Sequence, residues 1–247
     1  LELLGRVHRV DAIMKTILIA RSIGFENINV DLMHSLPEDT AEGSLADLRH
    51  AIKLSAPHIS WYELTLEDNT PFQRHPPARP LHETIIEAHS VGTELLETED
   101  YVAYEISAYA QENSECRHNL NYWQFGDYIG IGAGAHGKIT HENGVYRTEK
   151  RRSPNSYMKG VRNDDHCAPK RLLDDAQLVS DFAINAFRLT QGFDEDLFEQ
   201  RTGLAINKID SQLELAEQKH FLTRENGVIK PTVSGLQFLN ELQILFI

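Results

Sequence analysis

Apolar residues recur at helical spacing over residues 11–23, where Ile13, Met14, Ile17 and Leu18 share one face, and Gly24 follows where a left-handed cap would close a helix. Residues 27–32 (N-I-N-V-D-L) then predict a short buried strand, stopped by Leu36-Pro37. Asp39 with Glu42 has the form of a capping box, and Leu45, Leu48 and Ile52 carry a helical stripe toward Pro57. Residues 58–66 are rich in β-formers and give a second strand, followed by a polar, proline-laden loop to Pro80. A third helix over about 83–97 and a strand over 101–109 complete this part. Strands alternating with helices of this length predict parallel βα units with right-handed crossovers. In such folds ligands sit at the carboxyl ends of the strands, which here means Asp31, residues 64–67 and residues 107–109.

Beyond Tyr146 the texture changes. A basic, turn-rich link (Arg147, Lys150, Arg151, Arg152, Pro154) leads into helical patterns on Leu178, Phe182 and Ala186, on Leu197 and Phe198 up to Gly203, and on Ile206, Ile209 and Leu213. The turn Glu225-Asn226-Gly227 between two short apolar runs predicts a hairpin, before a last helix from about Ser234. Helices followed by a small β-wing predict a compact winged-helix-like domain, read most simply as a packing or docking module. The chain therefore divides into residues 1–146 and 147–247, within an α/β fold class.

Composition narrows the function. At 247 residues the chain is long enough to bury a sizeable core, and its formal net charge of -13 repels phosphate backbones, which argues against a nucleic-acid partner. Its two cysteines, Cys116 and Cys167, form no paired motif, as suits a reducing cytosol. No apolar run approaches the length of a membrane span, so a cytoplasmic protein with at most peripheral membrane contact is expected. The chain opens without methionine, which points to a front section ahead of Leu1.

The chemistry concentrates in residues 116–137, where a thiol, two imidazoles and five glycines stand beside Tyr122, Trp123, Phe125 and Tyr128, as a flat, bulky ligand would require. Residues 132–137 match the glycine spacing of a dinucleotide loop, but residues 138–145 read as strand, turn, strand rather than as the helix that must follow. A turn whose glycines allow close backbone approach fits better. His118 reads either as a hydrogen-bonded loop residue or as an axial ligand to haem iron, with Tyr122 and Trp123 against a porphyrin face and Asn119 orienting the ring. A zinc site from Cys116, His118 and His136 is a further alternative, without the repeated ligand pairs of structural zinc. Asp31, in a buried strand, needs a partner or ligand, and Arg6 is the other charge of interest.

These residues resemble a known family, the HemW radical S-adenosylmethionine (SAM) haem chaperones, relatives of oxygen-independent coproporphyrinogen III oxidase. The likeness rests on L-G-R-V-H at 4–8, N-V-D-L-M-H-S-L-P at 29–37, C-R-H-N-L-N-Y-W at 116–123, the glycine segment 130–137 and F-R-L-T at 187–190. It implies the back half of a partial parallel (β/α) radical-SAM barrel plus a small winged-helix-like carboxyl-terminal domain. It also implies haem on His118, supported by Asn119, Tyr122 and Trp123, and contact of Arg6 and Asp31 with S-adenosylmethionine. Thr65 joins that set from its place near a strand end. The implied role is to bind haem and pass it to an acceptor protein, and a homodimer is compatible with it. The alternatives are the oxidase reaction, decarboxylation by a 5′-deoxyadenosyl radical, and an inactive fragment of either protein. Two departures stand out: Ser35 replaces a glycine usual in the family, and the family's three-cysteine [4Fe-4S] loop lies ahead of Leu1. No radical chemistry is expected from this chain alone.

Overall fold

A computed structural model describes residues 10–68, 70–163, 165 and 170–247. The chain forms two compact units, Leu1–Cys116 and Arg117–Ile247. This division falls ahead of the one expected after Tyr146, a position that lies inside a hairpin strand, Gly144–Glu149.

The first unit opens with α1 (Val10–Ser22) and β1 (Asn29–His34). Phe25 N–H donates to the Ala20 carbonyl and Gly24 N–H to that of Arg21, with Gly24 at φ 97°, so the anticipated left-handed cap closes α1. Helix α2 (Ala41–Lys53) is capped one residue later than the sequence suggested. Thr40 Oγ1 accepts from Gly43 N–H, while Asp39 accepts from Thr40 N–H and the Ser44 hydroxyl, and Glu42 turns outward to Arg49. Next come β2 (His58–Glu63), the short α3 (Pro71–Arg74) inside the expected loop, and α4 (His82–Thr98).

The expected strand over 101–109 is instead a hairpin, β3 (Val102–Glu105) and β4 (Ala108–Ala110), with a register shift between Ala103 and Glu105. The sheet order is β1-β2-β4-β3; β1 and β2 are parallel, whereas β4 runs antiparallel to β2 and β3. Only one parallel pair therefore survives from the expected series. Val30, Ile59, Trp61 and Tyr109 pack in one buried cluster with Ile17, Leu48 and Leu96 from the three longer helices. Each such aliphatic side chain contributes roughly 1.5–3 kcal/mol by leaving water. Alternation along the strands sends Asn29, Asp31, His58 and Ser60 to the opposite face.

The second unit begins with α5 (Arg117–Trp123) and the antiparallel strands β5 (His136–His141), β6 (Gly144–Glu149) and β7 (Arg171–Leu172), with α6 (Pro154–Arg162) between the last two. Helix α7 (Asp175–Ala186) carries a full capping box from Asp174 and Gln177. Strand β8 (Phe193–Asp194), α8 (Glu195–Thr202), a 3-10 turn (Ile206–Ile209) and α9 (Asp210–Gln218) follow. Then β9 (Leu222–Glu225) and β10 (Val228–Pro231) pair across Asn226 and Gly227, both at positive φ, as the N-G signal required. The sheet order β8-β10-β9 makes the expected wing, and α10 (Val233–Gln237) and α11 (Leu239–Ile244) end the chain. Phe182, Phe187, Phe193 and Phe198 pack edge-on or tilted at its core.

Candidate functional site

Helix α5 carries most of the residues singled out from the sequence. It closes as α1 does, Gly126 N–H donating to the Asn121 carbonyl and Phe125 N–H to that of Tyr122, but the left-handed residue here is Phe125, at φ 52°. A bulky residue tolerates that backbone only when something compensates. Its ring is buried against Phe182 and beneath the Lys138 ammonium, 4.3 Å from the centroid. Closing the helix this way turns the chain back, so that Tyr128 and Lys138 exchange backbone hydrogen bonds of 2.9 and 3.0 Å.

One face of α5 presents His118 and, one turn later, Tyr122, whose rings meet edge-on at 4.7 Å. His118 is exposed and Tyr122 half-buried. Tyr128 lies 4.3 Å from Tyr122 on its other side and accepts a hydrogen bond from Arg147 Nη1 at 2.8 Å. Burial, and next to it the neighbouring Tyr128, push the Tyr122 phenol above its ordinary range against the opposing pull of Arg147, so it stays protonated. The result is an aromatic shelf with an imidazole at its open edge.

Trp123 leaves the helix in another direction. Its indole is covered by the Arg188 guanidinium at 4.1 Å, and its buried Nε1 meets no acceptor among the described residues. Asn119 is half-buried and engaged in contacts of its own. Cys116 is a half-buried free thiol.

The glycine segment behaves as a close-approach turn and leads into β5, not into a helix. A Cβ at Gly130 would fall 2.1 Å from the His136 carbonyl oxygen, and Gly132 and Gly134 take φ 106° and 72°. The dinucleotide alternative is therefore discarded on topology. No group of three or more metal-capable His, Cys, Asp or Glu side chains comes together among the described residues.

In the first unit Asp31 is inside β1, opposite Ser60, rather than at a strand end. It lies on the sheet face away from the helices, where a directed chain of hydrogen bonds crosses the strands. The His58 Nδ1 is 2.7 Å from Asn29 Oδ1, which only accepts, so Nδ1 carries the hydrogen. The other nitrogen, 2.8 Å from the Tyr104 hydroxyl, then accepts from it. Asn29 Nδ2 in turn donates to Asp31 Oδ1 at 2.8 Å. Burial pulls the His58 imidazole below its usual value, against Asp31, Glu105 and Glu115, which favours this neutral form. Sequence reading missed His58, Asn29 and Tyr104; the alternation of polar residues at 29, 31, 58 and 60 was the available signal. Thr65 is exposed just past β2, its hydroxyl 3.5 Å from the Glu63 carbonyl, and no contact joins it to Asp31. Arg6, like Cys167, lies outside the described residues. No helix among the described residues is long and apolar enough to cross a membrane.

Comparison with known proteins adds to this geometry. A family model described as the HemN C-terminal domain matches residues 173–238. The chain is 39% identical over 248 residues to the heme chaperone HemW of Haemophilus influenzae, covering 100% of this chain and 64% of that protein. It is 40% identical over 248 residues to HemW of Escherichia coli, covering 100% of this chain and 65% of that protein. It thus spans a little under two thirds of the relatives' length. Among solved structures, E. coli coproporphyrinogen III oxidase (HemN), described as a radical SAM enzyme, shares the fold with a TM-score of 0.78 and 16% identity over 99% of this chain and 60% of that one.

Proposed function

We propose that this chain is part of a protein of the HemW family, to two members of which it is 39% and 40% identical, and that it is the haem-binding part of a chaperone that carries haem and passes it to an acceptor protein. The observation that carries this reading is the exposed His118 ring held edge-on to Tyr122, at the open side of an aromatic shelf. A neutral imidazole offers a nitrogen lone pair to iron, and the ring of Tyr122 offers flat apolar area to the porphyrin. Asn119 and Trp123 support from the same helix, Trp123 by anchoring it beneath the Arg188 guanidinium rather than by touching the cargo.

S-adenosylmethionine belongs on the open sheet face of the first unit. Asn29 occupies one oxygen of Asp31 and leaves the other to accept from a ligand hydroxyl. Thr65 is the further proposed contact among the described residues. A [4Fe-4S] centre held by three thiolates does not fit this chain, whose two cysteines are Cys116 and Cys167. No step here runs through it.

Titration with haemin, followed at the Soret band, tests the assignment in wild type and His118→Ala. A red-shifted, saturable band is expected for wild type, with loss of that shift in the variant; identical spectra and affinities would remove His118 from the iron. The oxidase reading draws support from the shared fold with HemN. Turnover of coproporphyrinogen III by a full-length, cluster-reconstituted protein would favour it instead.

A further inference from the structure

Tyr128 stands next to the shelf residues already assigned, and three sets of contacts fix it. Its backbone is tied in both directions to Lys138, its ring lies 4.3 Å from Tyr122, and its hydroxyl accepts from Arg147 Nη1 at 2.8 Å. Arg147 is itself oriented by Asp181, whose Oδ2 accepts from Nε at 3.1 Å and from Nη2 at 2.8 Å. An aspartate on α7 thus sets a guanidinium on β6, and the guanidinium sets a phenol beside Tyr122. Having accepted from Arg147, the Tyr128 hydroxyl keeps its own hydrogen, which finds no acceptor among the described residues. A cation behind the oxygen polarises that O–H toward an anionic acceptor. In a chain of net charge -13 a carboxylate is repelled at long range, so its capture needs such a local donor.

We propose that the Tyr128 hydroxyl, backed by Arg147, is the carboxylate-recognising end of the shelf, donating a hydrogen bond to a porphyrin side-chain carboxylate while His118 faces the iron. This rests on the haem reading above. Tyr128 is a further binding residue, and Arg147 is a positioning residue that acts through it.

The experiment compares haemin with haemin dimethyl ester, which keeps the iron and ring but carries no carboxylate, on wild type, Tyr128→Phe, Arg147→Met and the double variant. Tyr128→Phe retains the ring and its packing. It should weaken haemin binding about tenfold, the scale of one charge-assisted hydrogen bond. It should leave ester affinity and the haemin Soret position unchanged. Arg147→Met should cost haemin a similar factor in the wild-type background and nothing further once Tyr128 is phenylalanine. Equal weakening of haemin and ester by Tyr128→Phe, or no preference of wild type for haemin over the ester, overturns the proposal while leaving the haem reading intact. A haemin spectrum indifferent to His118→Ala, or no haemin binding at all, overturns both.

Discussion

Arg188 lays its guanidinium over the indole of Trp123, 4.1 Å from the ring centroid, and so joins the F-R-L-T segment to the end of the N-Y-W helix. A cation on an indole face contributes roughly 0.5–2 kcal/mol, more when water is excluded. Arg188 also has contacts besides this one. Arg188→Ala is therefore expected to lower stability by about 1–2 kcal/mol and Arg188→Lys by less. Chemical denaturation monitored by tryptophan emission checks this, since the indole loses its cover. Unchanged stability in Arg188→Ala would mean the contact is incidental.

The buried ammonium of Lys138 donates to Asp127 at 2.8 Å, and its side chain is 1% exposed against 39% for the aspartate. Burial pushes the ammonium down, with the Asp127 hydrogen bond opposing. Burial would raise Asp127, but its bonds from Lys138 and Thr140 win and hold it low. The two partners are consequently unequal. Asp127→Asn strands a desolvated cation and should cost about 2–4 kcal/mol, whereas Lys138→Met leaves a half-exposed carboxylate still bonded by Thr140 and should cost under about 1 kcal/mol. Urea midpoints of the two single variants and the double variant decide it. The double variant should recover most of the Asp127→Asn loss.

Helix α4 passes so close to the first sheet that a Cβ at Gly92 would lie 2.0 Å from Trp61 Cη2. Trp61 is buried, stacked against His89 at a centroid distance of 5.9 Å and tilted against His34 at 4.6 Å. Gly92→Ala gains helix propensity but forces the indole aside, and overpacking should win, with a net loss of about 1–3 kcal/mol. Near-ultraviolet circular dichroism should change with it. Thermal stability equal to or above wild type would show that the helix shifts freely.

Stability should also fall in mild acid because of His34. Burial first, then the neighbouring His89, hold its imidazole down to about 4 despite Glu63 and Asp39. The unfolded chain titrates near the ordinary value of about 6.5, so between the two values the unfolded state binds more protons. The stabilisation present above about 6.5 is therefore lost progressively as pH falls toward 4, and a gap of this size is worth about 3 kcal/mol. Melting curves from pH 7 to 4.5 should show the drop, and His34→Phe should flatten it. A slope unaltered by that substitution would assign the acid sensitivity to other groups.

Local signals carried a large share of this molecule. The stripe ending at Gly24, the Asn226-Gly227 turn, the α7 region around Leu178 and Phe182, and the strand-turn-strand after the glycine segment were all legible, because each depends on residues a few positions apart. The edge-on pair of His118 and Tyr122 was not legible, because His118 reads as a loop residue in the sequence and the i, i+4 contact exists only once α5 forms. Other features needed contacts that no window contains. The 101–109 run folds back as a hairpin because Tyr109 goes to the helix-covered core while the register shift brings Tyr104 to His58, and neither partner is near in sequence. Asp31 acquires its fixed oxygen from a chain that crosses β3, β2 and β1. Tyr128 becomes part of the shelf only when Lys138 and Arg147 arrive from the next two strands. Sequence by itself determined most of the longer helices, the first two strands and the Asn226-Gly227 turn, since backbone preference and hydrophobic period act locally, but not the 101–109 hairpin or the short helices α3 and α5. Tertiary structure decided which polar atoms meet, because a buried donor or acceptor is satisfied by whatever the fold brings within about 3 Å of it.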